Sequence, residues 1–212
     1  MIREMAAQDW NEHYVRGELP WDTDEPDPHL VDLVRAGTIA PGRALEIGSG
    51  TGTNALWLAA HGFDVLGIDV SERAVEMANA KAGHDTPRVT FSMHDFLEDT
   101  LAGPFDVVFD RGCFHVFDEP EQRARFAERV ADVLRPEGLW LSLIGSTEGP
   151  AREHGPPRRN ARDIVSALEP AIEVVSLRAT EFDAGLPTAA RAWVCLARRR
   201  TVLAQPSTRR DR

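Results

Sequence analysis

"ALEIGSGTGTN", residues 44–54, is the stretch on which the fold turns. Its first residues are an apolar strand, glycines follow at 48, 50 and 52, and "TNALWLAAHG" then has the composition of a helix closed by Gly62. A strand that turns through alternate glycines into a helix brings backbone amides and the positive helix end to one ligand. The spacing is G-x-G-x-G, with Thr53 where a dinucleotide fold needs glycine or alanine. Glu46, two residues ahead of the first glycine, reaches the same mouth. It would repel a pyrophosphate and suits a zwitterion that carries an ammonium group.

Working outward, "DVLGIDV" is a second strand ending at Asp69, 23 residues after Glu46, where a carboxylate can take both hydroxyls of a ribose. "SERAVEMANAKAG" is a helix opened by Ser71 and closed by Gly83. A third strand, "RVTFSMHD", puts Asp95 where it can accept from an adenine amino group and Phe96 where it can pack on the ring. "FDVVFDR" and "GLWLSLIG" are further strands, separated by "DEPEQRARFAERVADVLRPEG", a long helix for which Asp118 is the expected cap and Glu121 the partner in a capping box. Strands alternating with helices of this length predict an α/β chain with a doubly wound, mainly parallel sheet covered on both faces. The last two runs, "AIEVVSLRATEF" and "ARAWVCLARRR", are joined by "DAGLPTA", too short for a crossover helix, so this edge is expected to be antiparallel.

Ahead of the glycine turn, residues from about Met5 to Arg16 read as a helix stopped by Gly17, "ELPWDTDEPDP" as a loop, and Asp27 as the cap of a helix with Pro28 in its first turn. The 212 residues suit one domain over 1–200, with 1–37 as an amino-terminal cap and 201–212 as a basic, disordered tail. Six arginines and one aspartate from Arg198 onward leave −15 of the total charge of −10 on the rest, which argues against a broad nucleic-acid footprint. No apolar window reaches the roughly 18 residues of a membrane span. Two distant cysteines and no ligand spacing point to a reduced compartment and no metal. A cytoplasmic monomer acting on a small molecule is expected.

"LEIGSGTG", "GIDVS", "HDF", "FDVVFDRG" and "VLRPEG" resemble the successive motifs of class I S-adenosylmethionine-dependent methyltransferases over residues 42–145. The resemblance implies a Rossmann-like, seven-stranded sheet ending in an antiparallel hairpin, with S-adenosyl-L-methionine across the strands' carboxyl ends. Gly48, Gly50, Gly52 and Asn54 would then hold the methionine moiety and Glu46 its ammonium group. Asp69 and Val70 would face the ribose, Asp95 and Phe96 the adenine, and Asp110 would close the pocket. "W...Y..G..PWD", from Trp10 to Asp22, with the later "DRG", is similar to the thiopurine, thiol and halide methyltransferase group. That likeness implies a cap in which Trp21 contacts the cofactor and Trp10 and Tyr14 pack.

In "FDRGCFHVF", residues 109–117, Cys113 reads as a small apolar residue, because methyl transfer needs no covalent enzyme intermediate. Arg111 is expected either to contact a polarizable acceptor such as a thiolate or to pair with an acid of the cap such as Asp22. His115 either takes a proton from a thiol, phenol or ring nitrogen or only shapes the pocket. "EHGPPRRNARD" would cover the acceptor side, with Asn160 capping the next helix and Arg158 and Arg159 meeting a negative substrate or solvent. A nucleic-acid methyltransferase and a dinucleotide oxidoreductase fit these residues poorly. The reading from another class is a cofactor-binding sensor or partner subunit that transfers nothing.

Overall fold

The computed structural model describes residues 10–84, 86–149, 157–169, 171–182 and 189–201. Residues 10–16 are helical (α1), and Gly17 leaves the helix with φ of +70°. α2 spans Pro28–Arg35, capped by Asp27, whose carboxylate accepts from the amides of His29 and Leu30. There follow β1 (Arg43–Ile47), α3 (Thr53–Ala60), β2 (Asp64–Asp69), α4 (Glu72–Ala82), β3 (Val89–Met93) and β4 (Phe105–Arg111). A 3-10 turn at Phe114–Val116 leads to α5 (Pro120–Val133), β5 (Leu134–Gly145), α6 (Ala161–Leu168), β6 (Ile172–Phe182) and β7 (Ala190–Arg199).

The seven strands lie in the order β3-β2-β1-β4-β5-β7-β6, with β1 to β5 parallel and β7 antiparallel to both β5 and β6. This is the doubly wound, Rossmann-like sheet with an antiparallel carboxy-terminal hairpin. The chain runs outward from β1 to β3 and then returns to β4 on the other side of β1. The carboxyl ends of β1 and β4 therefore flank the switch point, where such sheets bind ligands.

Strand alternation divides the core in two. Leu45, Ile47 and Val108 join Phe126 and Trp140 on the face covered by α5, whereas Ala44, Val107 and Phe109 join Leu58 and Phe63 on the face covered by α3. Glu46 has the parity of Ala44 and Arg111 that of Phe109, so both belong to the α3 side. Asp110 has the parity of Val108 and belongs to the other.

Two local expectations change. α5 is capped by Glu119 with no side-chain bond, so there is no capping box. Pro120 fixes the first helical position, which makes the residue before it the cap. Asp118 instead forms an ion pair with Arg159 at 2.7 Å. The helix also stops at Val133 rather than running through "RPEG": Leu134 is extended and pairs with Phe105. Asn160 caps α6 in a complete capping box with Asp163. The expectations for Met5 to residue 9, for residues 150–156, for most of "DAGLPTA" and for the tail beyond Thr201 lie outside the described residues.

Candidate active site

A cavity of about 550 Å³ opens at the carboxyl ends of β1, β2 and β4 under the amino-terminal segment. At its inner end Glu46 is 2% exposed. Asn54 Nδ2 donates to its Oε1 at 3.1 Å, and its Oε2 has no hydrogen-bond partner. Burial pushes this carboxyl up to about 8, against the opposing pull of Asn54 and the Ala55 amide. A buried acceptor without a donor is costly unless a ligand supplies one.

The glycine turn works through space more than through donors. The amides of Ser49, Gly50 and Gly52 donate to Ile68 O, Asp69 Oδ2 and Ser49 O, so these three do not face the cavity as the strand-turn-helix pattern predicts. What the turn requires is the absence of side chains. A Cβ on Gly50 (φ +53°) would stand 3.0 Å from the Tyr14 hydroxyl, and one on Gly52 (φ +85°) 2.6 Å from Phe91 Cζ. Asp69 is 7% exposed and accepts from the amides of Gly50 at 3.0 Å and Ser71 at 2.9 Å. Burial raises its carboxyl, and those amides counteract the rise.

The cap forms the roof. Trp10, Tyr14 and Trp21 line the cavity, with the Trp21 ring 5.5 Å from Trp10 and 6.1 Å from Tyr14 in edge-on contacts. Burial and the nearby Asp69 push the Tyr14 phenol well above its ordinary value, so it stays protonated. Polar pins fasten the roof to the sheet: Thr51 Oγ1 donates to Asp22 at 2.6 Å, the Asp27 amide to Asn54 Oδ1 at 2.8 Å, and Arg111 Nη1 to the Trp21 carbonyl at 2.9 Å. Lys81 ties Asp24 at 2.6 Å and Thr53 at 2.7 Å.

At the far end the cavity meets Arg111, Gly112, Cys113, His115, Pro157, Phe182 and Ala190. Arg111 pairs with an acid of the cap, but the partner is Asp27, at 3.1 Å, and not Asp22, whose carboxylate is engaged by Thr51. Its guanidinium also lies over Phe182, 5.4 Å from the ring centre. His115 is 4% exposed, and its Nδ1 accepts from the Gly145 amide at 2.8 Å. Burial, then the Asp110 charge, holds the Cys113 thiol far above its usual range, which makes it a poor nucleophile.

Of the residues singled out from the sequence, Trp21, Glu46, Gly48, Gly50, Asn54, Asp69, Val70, Arg111 and His115 line this one cavity. Gly52 does not line it: its open side is filled by Phe91 and Ala78. Asp110 does not line it: fully buried on the opposite face of β4, it accepts from Trp140 Nε1 at 2.8 Å and from the amides of Cys113 and Phe114, and so holds the turn after β4. Phe96 packs on Phe126 at 4.8 Å in the core, and Asp95 accepts from the Leu97 amide; neither lines the cavity. Arg158 and Arg159 do not line it either, and Arg159 is spent on Asp118 and the Phe117 carbonyl. Sequence reasoning missed Thr51, Phe182 and Ala190 as lining residues and read Asp27 only as a helix cap. Asp22 stood within "PWD" as a signal, but nothing local marks Phe182 or Ala190, which come from the ends of the distant hairpin.

Beneath the roof the cavity is lined by Asp22, Glu25, Glu46 and Asp69, an acidic wall suited to a ligand with net positive charge. Among similar proteins, a probable thiol methyltransferase 2 of Arabidopsis thaliana is 32% identical over 159 residues, 74% of this chain and 69% of that protein. Thiocyanate methyltransferase 1 of Brassica oleracea is 31% identical over 179 residues, 82% and 75% of the two chains. A solved structure concerned with converting a disulfide bond into a thioacetal group during echinomycin biosynthesis superposes with a TM-score of 0.80, at 26% identity over 93% of each chain. The model of the family described as thiopurine S-methyltransferase matches residues 5–194. With its doubly wound sheet, acid-lined cavity and aromatic roof, the chain belongs to the thiopurine S-methyltransferase family and is an S-adenosylmethionine-dependent methyltransferase.

Proposed function

We propose that the enzyme methylates a small, soft nucleophile that reaches the cavity as an anion, a thiolate or an anion of thiocyanate type. The observation that carries this reading is the Gly145 amide on His115 Nδ1, which leaves the neutral ring a donor, and not a base, at Nε2. With Cys113 held as a thiol, the acceptor end offers hydrogen-bond donors and apolar walls. A soft anion is suited to both, and the thiol and thiocyanate methyltransferases named above support the same class.

The residues present fit the cofactor. Glu46 Oε2, buried without a donor, would take its ammonium group, Gly48 and Gly50 leave room for its chain, and Asp69 keeps lone pairs for ribose hydroxyls. Asn54 holds Glu46 in place, while Trp21, Val70 and the cap exclude water. When bound, S-adenosyl-L-methionine supplies a sulfonium-activated methyl group for direct in-line displacement. The chain's task is then alignment and desolvation, with Arg111 and His115 orienting the acceptor. We further assign residues 1–200 to one catalytic domain with 1–37 as its cap, acting as a cytoplasmic monomer without nucleic-acid partners. Support comes from the acidic net charge and from two cysteines that are both free. Among the described residues no helix is long and apolar enough to cross a membrane.

Label transfer from S-adenosylmethionine to a panel of thiols, halides, thiopurines, phenols and N-heterocycles tests this function, alongside titration calorimetry with the cofactor and with NAD. Transfer to thiols or soft anions ahead of phenols and N-heterocycles is expected. Preference for phenols would refute the anionic acceptor, and cofactor binding without any transfer would favour a non-catalytic binding subunit.

A further inference from the structure

Asp27 does not line the cavity, but its side chain, only 2% exposed, is bonded to Arg111, which does. One carboxylate oxygen, Oδ1, is used on the amides of His29, at 2.9 Å, and Leu30, at 3.4 Å, as the cap of α2. The other, Oδ2, accepts from Arg111 Nε at 3.1 Å. Its own amide donates to Asn54 Oδ1 at 2.8 Å, and Asn54 Nδ2 donates to Glu46 at 3.1 Å. A hydrogen-bonded path thus runs from Glu46 through Asn54 and Asp27 to Arg111, and on to the Trp21 carbonyl at 2.9 Å. A helix cap needs one oxygen and is served equally well by Asn or Ser. The second oxygen, buried against a guanidinium, is not explained by capping.

We propose that Asp27 is a positioning residue: its backbone amide ties it to Asn54 at the start of α3, and its carboxylate fixes the direction and offsets the charge of Arg111 at the acceptor end. The claim rests on the assignment of that end to the methyl acceptor, given above. Asp27 touches no reacting atom and acts through Arg111. Replacing it by Asn keeps an oxygen for the cap but turns an amide toward Arg111 Nε, donor against donor, and releases the guanidinium. Asp27→Ser keeps the cap and removes the second oxygen altogether.

The test combines kinetics with a direct view of the guanidinium. In the arginine-labelled full chain, the Nε–H proton of Arg111 should exchange slowly and give a resolved resonance. Asp27→Asn and Asp27→Ser should each speed that exchange tenfold or more, and both should lower the melting temperature, because a buried guanidinium loses its counter-charge. With a competent acceptor, Asp27→Asn should lower kcat/KM for the acceptor at least tenfold and change the cofactor Kd less than twofold. In an Arg111→Gln background the same substitution should change kcat/KM less than twofold. An unchanged Arg111 signal in both variants, or an equal loss with and without Arg111, would overturn the proposal. If the parent enzyme transfers to no acceptor, the function proposed above fails, and the resonance still decides the role of Asp27.

Discussion

The backbone amide of Gly145 donates to Nδ1 of His115 at 2.8 Å, so these two residues decide which ring nitrogen carries the proton. An amide can only donate, hence Nδ1 presents its lone pair and the neutral ring keeps its hydrogen on Nε2. Protonation of the ring, or the other tautomer, would set N–H against N–H in a site that is 4% exposed. Of the two roles open from the sequence, base or pocket wall, the base is disfavoured, and the tautomer adds a third that the sequence did not offer, a donor at Nε2.

His115→Gln retains an N–H near the position of Nε2, whereas His115→Ala does not. With a thiolate acceptor, kcat should fall about 10²-fold for Ala and about tenfold or less for Gln, on the scale of removing one donor from a developing or stabilised anion. Steady-state kinetics decide the point: equal losses for the two variants would return His115 to the role of base.

Glu46 should make cofactor binding depend on pH. Its carboxyl titrates at about 8 in the ligand-free protein, and a ligand ammonium prefers the ionised form. The Kd should therefore rise about tenfold as pH falls from 7 to 6, one proton being lost for each ligand bound. Calorimetry should find weaker but flat binding for Glu46→Gln. The same shift has a stability sign: the folded value lies above the ordinary 4.5, so the folded state holds a proton the unfolded chain has released. The contribution of this group to stability accordingly declines as pH rises from 4.5 toward 8.

Thr51→Val tests the roof. The Thr51 hydroxyl gives a 2.6 Å hydrogen bond to the Asp22 carboxylate, and valine keeps the shape without it. A hydrogen bond to a charged group is worth about 1.5–3 kcal/mol, part of which is regained from water here. The cofactor Kd should rise about tenfold, and amide exchange in residues 10–24 should quicken, with the melting temperature little changed. Unaltered affinity would mean that the cap closes without this pin.

Two glycines of the turn should separate stability from binding. Gly52→Ala drives a Cβ to 2.6 Å from Phe91 at φ +85° and should cost about 2–3 kcal/mol, seen as a melting temperature about 5–10 °C lower. Gly50→Ala meets the Tyr14 hydroxyl at 3.0 Å, on the cavity side, so its larger effect should be on cofactor Kd. Thermal melts and calorimetry on both variants check the contrast.

Local chain physics was enough to read most of the frame. The glycine turn, the Asp27 and Ser71 caps, the helix stops at Gly62 and Gly83 and the antiparallel hairpin depend on neighbours within a few residues, and each is as the composition implies. α5 shows where such reasoning stops. Two adjacent acids could cap it, and Pro120 together with the pull of Arg159 on Asp118 selects Glu119. The acids at the ends of β3 and β4 show the same limit: their position in sequence marks a strand end, but strand parity turns Asp110 into the core beside Trp140.

By itself the sequence determined a doubly wound sheet with an acid-bearing glycine turn, a family and a cofactor, because periodicity, turn chemistry and motif spacing are properties of the chain alone. Only the tertiary structure decided what Arg111 and His115 are bonded to. Their partners, Asp27 and Gly145, lie 84 and 30 residues away and meet them only through space, which no local pattern in the chain encodes.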